Sequence, residues 1–346
     1  MAASDVAPLD APAPWQALLP WQVPLASELL ARGPAGWPHA LLLTGRAGIG
    51  KRILAQNLAR SLLCEAPLAG GFACGACASC GYVAAGQHPD LRNVEPIDVT
   101  DDDEIKVLDL IPVKHVRALT LWTNVTSHRG GAKVAVIAPA DLLNVAAANA
   151  LLKTLEEPPA GTFLILVTAR PGRLLPTVRS RCLRLEAPVP DAYAARAWLA
   201  EQGVEAPDTL LAQAVGAPLA ALALSDLQQE RGTWLTALGK PRLLSPVALA
   251  ARIEAAGKDE RKALLALVID WLAAWVADLA RTAAGGEPQR NPDHAAALHA
   301  LAPSVAPVAL FRYHRSLMEQ RALVAHPLAP RLVAETLLIR YRELFR

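Results

Sequence analysis

Two groups of residues in this chain have types and spacings that could do chemistry. The first is Gly45-Arg-Ala-Gly48-Ile-Gly50-Lys51. Glycines at such positions let backbone N–H groups face a phosphate, and a helix beginning at Lys51 adds the favourable field of its N-terminus. Lys51 would then reach β and γ phosphates. The next position should carry a Ser or Thr hydroxyl for Mg²⁺, but it holds Arg52, which cannot ligate a metal ion. The run therefore has the spacing of a nucleotide loop without its full chemistry, and a glycine-rich turn that binds no nucleotide stays open as a reading. The second group is Cys64, Cys74, Cys77 and Cys80. Four thiolates are what a closed tetrahedral zinc site uses, and such a site is structural because it leaves no position for substrate. Disulfides are the competing reading, but adjacent CxxC pairs would close strained rings.

Elements must exist to position these groups. His39–Thr44 is a short apolar run before the loop, read as a buried strand, and a helix follows to about Leu63. Leu91–Val94 is a candidate strand, and Ile111–Thr126 has helical periodicity with Val113, Val116 and Leu119 as core positions. The stretch Lys133–Cys182 holds two apolar runs, Val134–Ile137 and Phe163–Val167, joined by an Ala/Leu helix over Val145–Glu157 that Pro158 and Pro159 stop. A strand–helix–strand unit of this kind belongs to an α/β domain with a parallel sheet.

In nucleotide hydrolases of this architecture, the acids that orient Mg²⁺ and activate water follow the strand that Val134–Ile137 represents. Ala138 and Pro139 stand there instead. Asp141 is the nearest acid, and it reads as a loop residue rather than a displaced metal ligand. The expectation is that this chain does not hydrolyse ATP efficiently. An active ATPase using Lys51 with Asp141 is the alternative. A zinc-dependent nucleic-acid-binding module with a vestigial loop is another.

The 346 residues carry a net charge of +2, too mild a balance to indicate a nucleic-acid binder by itself. No run of about 18 apolar residues without charges is present, so no membrane span is expected. Met1–Pro14 reads as a flexible Ala/Pro tail with no leader pattern, which points to the cytoplasm, where thiols stay reduced. Asp101–Glu104 reads as a solvated turn. Past Ala187-Pro-Val-Pro190 strand-like runs vanish. Asp191–Gln202 and Thr209–Leu227 read as short helices, and long apolar stripes cover Lys262–Arg281 and Arg331–Phe345. Cys182 reads as a small packed residue.

The run AANALLKTLEEPP, the tripeptide Ser180-Arg181-Cys182, the loop at Gly45–Lys51 and the four-cysteine insertion together resemble the bacterial DNA polymerase III clamp-loader family. The resemblance covers about the first 225 residues. It implies an α/β then all-α architecture. An AAA+ P-loop domain with the zinc module at 64–80 would occupy residues 15–187, a helical lid 188–229, and a helical collar for oligomerisation 230–346. It implies structural Zn²⁺ on Cys64, Cys74, Cys77 and Cys80. It also implies partners: gamma/tau ATPase subunits, a delta subunit and, through the assembled complex, a sliding clamp and primer-template DNA. Motor members carry Asp-Glu where Ala138-Pro139 stand, Ser or Thr in place of Arg52, and a lid arginine where Leu219 falls. The departures therefore imply a non-motor subunit. Arg181 is retained, and the resemblance implies that it acts as an arginine finger on ATP/Mg²⁺ bound by the neighbouring subunit.

Overall fold

The computed structural model describes residues 16–99, 105–258, 260–324 and 329–345. The expected N-terminal tail and the acidic run Asp101–Glu104 lie outside them. Contacts divide the chain into two units, residues 2–194 and 195–346.

The first unit runs α1 (Val23–Leu30), β1 (Ala40–Thr44), α2 (Lys51–Leu63), α3 (Ala78–Ala84), β2 (Leu91–Val94), β3 (Ile97–Val99), β4 (Ile105–Val107) and α4 (Val113–Thr123). It continues with β5 (Lys133–Ile137), α5 (Val145–Glu156), β6 (Thr162–Thr168), α6 (Pro176–Arg179) and β7 (Leu183–Glu186). Five strands form one parallel sheet in the order β2-β5-β6-β1-β7. Every residue of β1, β5 and β6 is buried. That explains why these strands read as continuous apolar runs rather than alternating ones. Parallel pairing needs crossovers, and α2, α4 and α5 supply the helical cover. Val116 and Leu119 are buried in that cover, and Val113 packs at its margin. Helix α5 starts at Asn144, whose Oδ1 accepts the Ala147 N–H at 2.7 Å. It ends just before Pro158-Pro159, which cannot continue a helix.

Three strands depart from the sequence expectation. The antiparallel pair β3–β4 flanks the acidic run, and β7 continues straight from the Ser180-Arg181-Cys182 turn. Cys182 does pack as expected: its thiol is half-buried against the sheet core and donates to the Val178 carbonyl at 3.3 Å. Burial pushes that thiol up to about 11.

The second unit is helical, and no strand occurs past Glu186 among the described residues. Helices α7 (Ala192–Glu201), α8 (Pro207–Gln213) and α9 (Pro218–Ser225) share a small core of Ala195, Leu199, Leu210, Leu211 and Ala221. The expected helix at Thr209–Leu227 is broken at Val215-Gly216, where both residues have positive φ. Helices α10 (Gln228–Leu238), α11 (Pro246–Ala255), α12 (Arg261–Ala283), α13 (Ala295–Leu301), α14 (Pro307–Leu323) and α15 (Pro330–Glu343) build a larger core. Trp234, Trp275 and Tyr341 are fully buried in it. Trp275 Nε1 donates to Tyr341 Oη at 2.8 Å, and that hydroxyl donates to the Leu238 carbonyl at 2.8 Å, so these large rings leave no polar atom stranded.

No membrane span is expected from the sequence, and one helix comes near the limit. By length and composition α12 is long and apolar enough to cross a membrane, because only Asp270 and Asp278 interrupt its central 18 residues, with Arg261, Lys262 and Arg281 near its ends. Just over half of that stretch is buried within the protein, as suits the central helix of a bundle. Asp278 is itself buried and accepts the backbone N–H groups of Gln289, Arg290 and Asn291, which pins the loop after α12.

Candidate functional site

In parallel α/β sheets, ligands bind outside the carboxyl ends of the strands. That edge gathers the loop after β1, Glu95 after β2, Ala138-Pro139 after β5 and Thr168 at the end of β6. Gly48 and Gly50 take φ of 76° and 87°, so the loop has a shape that side chains would strain. Its lysine is turned inward, whereas Arg46 is exposed. Lys51 is buried, and its Nζ donates to the Arg46 carbonyl at 2.6 Å. From the α1 side, Trp21 Nε1 donates to the Ile49 carbonyl at 3.0 Å, and Gln22 Nε2 donates to the Gly50 carbonyl at 2.7 Å.

The place of the missing Mg²⁺ ligand is filled by an ion pair. Arg52 Nη2 lies 2.5 Å from Glu95 Oε1, and the Glu95 side chain is largely buried. Burial raises the Glu95 pKa, and Arg52 offsets only part of that rise. Asp141, the nearest acid after β5 in sequence, is also committed. It is buried, accepts from Thr168 Oγ1 at 2.7 Å, and pairs with Arg170 through Nε at 2.9 Å and Nη2 at 2.8 Å. Three donors therefore already occupy that carboxylate. This geometry weighs against the ATPase reading that relied on Asp141. Leu219 stands at the start of α9 and offers no guanidinium.

Arg181 sits in the turn between α6 and β7 and is about one-third exposed. Its Nε and Nη2 meet Glu156 Oε1 at 2.8 and 2.5 Å, and Nη1 donates to the Thr177 carbonyl at 3.0 Å. The tip is therefore held by the last residue of α5, while about a third of the Arg181 side chain stays exposed.

The four cysteines converge. Their sulfurs all lie within 4.8 Å of one another, and Cys64 and Cys77 are 3.8 Å apart. A tetrahedral ion with metal–sulfur bonds of about 2.3 Å needs sulfurs roughly 3.8 Å apart, so the donor set fits zinc. No disulfide joins them. Backbone N–H groups point at the sulfurs: Cys74 N to Cys64 Sγ and Cys77 N to Cys74 Sγ at 3.3 Å, and Cys80 N to Cys77 Sγ at 3.4 Å. Such donors favour thiolate over thiol. Burial pushes Cys64 up to about 12. At Cys77 burial acts in the same direction, but N–H donation from Cys80 and Glu65 outweighs it and brings the thiol down to about 6.

The module is tied to the sheet through polar groups that the sequence did not flag. Glu65 accepts from Ser79 Oγ at 3.0 Å and from Arg129 Nε at 2.7 Å. The His88 ring bridges Ser79 Oγ and the Asp90 backbone: Nδ1 accepts the Asp90 N–H at 3.0 Å, so Nε2 is the protonated nitrogen and donates to Ser79. Burial alone would raise the Asp90 pKa, but the N–H groups of His128 and Arg129 and the Ser127 hydroxyl hold it below the usual carboxylate range.

All the residues expected at a site are thus placed, in three locations: the glycine loop, the exposed Arg181 turn and the cysteine cluster. Glu95, Arg170, Trp21 and Gln22 were not anticipated, because each meets its partner only across the folded sheet edge.

A family model described as DNA polymerase III, delta subunit matches residues 34–190. DNA polymerase III subunit delta' of Pseudomonas aeruginosa is 39% identical over 270 residues, covering 76% of this chain and 77% of that protein. The Escherichia coli protein of the same name is 43% identical over 226 residues, 63% of this chain and 65% of its own length. DNA polymerase III subunit tau of Salmonella typhimurium is 36% identical over 146 residues, 42% of this chain and 21% of that protein.

Proposed function

Because this chain belongs to the delta' family of DNA polymerase III subunits, we propose that it works as the non-motor subunit of a clamp-loader ring. In this role it holds its neighbours in register and supplies Arg181 to ATP bound on an adjacent gamma/tau subunit. A delta subunit is its other neighbour, and the assembled complex acts on a sliding clamp and primer-template DNA in the cytoplasm. The helices over residues 188–229 serve as a lid and those over 230–346 as the collar that joins subunits. Zn²⁺ on Cys64, Cys74, Cys77 and Cys80 is structural.

The observation that carries this reading is the contrast in charge disposition. Arg52 and Arg170 are held by the buried carboxylates of Glu95 and Asp141, whereas Arg181 is held by Glu156, whose side chain is 49% exposed beside the turn. Similarity to a tau subunit supports a ring of related chains, in which one member's turn can face another's glycine loop. Mg²⁺ and ATP on the neighbour supply the phosphoryl chemistry. This chain's part is electrostatic: a planar guanidinium meets charge as it develops on the γ-phosphate oxygens, and cannot lose its proton.

The test is reconstitution of the complex with Arg181→Ala. Arginine fingers contribute about 10³–10⁵ in rate at the site they serve. DNA-dependent ATPase and clamp loading should therefore fall sharply while the ring still assembles. Wild-type turnover by that complex would end the assignment.

A further inference from the structure

We infer that Arg60 is the charge partner of the four-cysteine metal site, a buried guanidinium that offsets the surplus negative charge of a tetrathiolate around a divalent cation. The inference rests on the zinc reading above and goes beyond the ligand set.

Four thiolates and one Zn²⁺ leave two units of negative charge in a partly buried cluster. A charge taken from water requires a counter-charge or several donors nearby. Arg60 lies in the last turn of α2, four positions before the first ligand, Cys64. It is 7% exposed although it is a cationic side chain. Its Nη2 reaches the carbonyl of Gly75, between Cys74 and Cys77, at 3.5 Å. The guanidinium also hydrogen-bonds the Cys80 side chain, the most buried of the four. A Cβ added at Gly75 would lie 3.8 Å from Nη2, so backbone and guanidinium are close neighbours there.

The other cation near the cluster is Arg129, which acts on Cys77 through space. It is a poor candidate, because its Nε is bound to Glu65 at 2.7 Å and that carboxylate already balances it. Arg60 approaches from the protein side, where water screens least. It also stands at the C-terminal end of α2, where the helix dipole favours a cation. The same helix therefore begins with the lysine of the glycine loop and ends with the cation of the metal site.

The test uses the full chain, purified under reducing conditions, with zinc affinity measured by competition against a chromophoric chelator. Outer-shell partners of metal ligands are worth about 10–100-fold in affinity. Arg60→Met, which keeps length and apolar stem but removes charge, should weaken zinc binding by about that factor. Arg60→Lys should lose less. In the Co²⁺-substituted protein, the thiolate-to-cobalt charge-transfer band should move to longer wavelength in Arg60→Met, a shift that a purely packing role would not produce. Should Arg60→Met fail to fold, Arg60→Gln gives the same comparison with a neutral polar group. Wild-type zinc affinity and an unmoved band in the folded neutral variant would overturn the inference alone. A wild-type chain that takes up no zinc with its thiols free would overturn the zinc reading with it.

Discussion

The two ends of α2 carry two candidate sites that differ in how their polar groups are disposed. At the Lys51 end the glycine loop keeps its backbone shape, but the charged side chains around it are paired within the protein: Lys51 with the Arg46 carbonyl, Arg52 with Glu95, Asp141 with Arg170. At the Leu63 end the four sulfurs of the cysteine cluster converge, with N–H donors aimed at them. One end has turned its polar groups inward, and the other presents a complete ligand set. The difference shows that a loop's shape and its chemistry can separate.

Metal removal tests this contrast with the largest expected effect. A ligand present at about 1,000 times its dissociation constant stabilises the folded state by roughly 4 kcal/mol. Calorimetry with and without a strong chelator, thiols reduced throughout, should show a lowered Tm. Added ATP and Mg²⁺ should shift Tm little, because the loop end is already satisfied by internal partners. A chelator-insensitive Tm, or a large ATP shift, would reverse the comparison.

A smaller effect belongs to the ion pair at the loop end. Arg52→Ala leaves the Glu95 carboxylate largely buried without its cation. Stranding a buried charged group costs about 1–3 kcal/mol, toward the low end here because water can enter where the guanidinium was. Burial already raises the Glu95 pKa against the pull of Arg52, so loss of Arg52 raises it further. A carboxyl with a raised folded pKa binds its proton more tightly folded than unfolded, which favours folding at low pH and is lost as pH rises through that value. The gap between wild type and Arg52→Ala in urea denaturation should therefore be widest near neutral pH and close on acidification. A gap that widens on acidification would mean that Glu95 is not the group involved.

These expectations also mark where the sequence was readable. The strands β1, β5 and β6 were legible because burial on both faces makes an unbroken apolar run. Strand β7 was not, since three of its four residues are exposed, Arg184 and Glu186 among them. The pair β3–β4 is three residues a side, too short for periodicity to register. Glycine and cysteine spacing revealed the candidate sites because their ligand atoms come from one local segment. The pairings of Glu95 and Arg170 were not legible because their partners, Arg52 and Asp141, are distant in sequence. Only the strand order β2-β5-β6-β1 brings such residues to one edge. Sequence exposed the losses at Arg52 and Ala138-Pro139, but not what replaced them.

The smallest effect concerns the Arg181 turn. Glu156 holds Nε and Nη2 of Arg181, yet both side chains are a third or more exposed, Glu156 by 49%. Exposed ion pairs contribute about 0–1 kcal/mol and weaken with salt. Glu156 also terminates α5, where the helix dipole disfavours an anion, so part of the pair's attraction only offsets that repulsion. Glu156→Gln should thus change unfolding free energy by no more than about 1 kcal/mol, with the difference shrinking at high ionic strength. Such a weak hold is what an arginine must have if it is to leave its own chain for a phosphate on a neighbour. A Glu156→Gln cost of several kcal/mol, unaffected by salt, would mark Arg181 as a fixed structural strut and would separate it from the finger role that Arg181→Ala addresses.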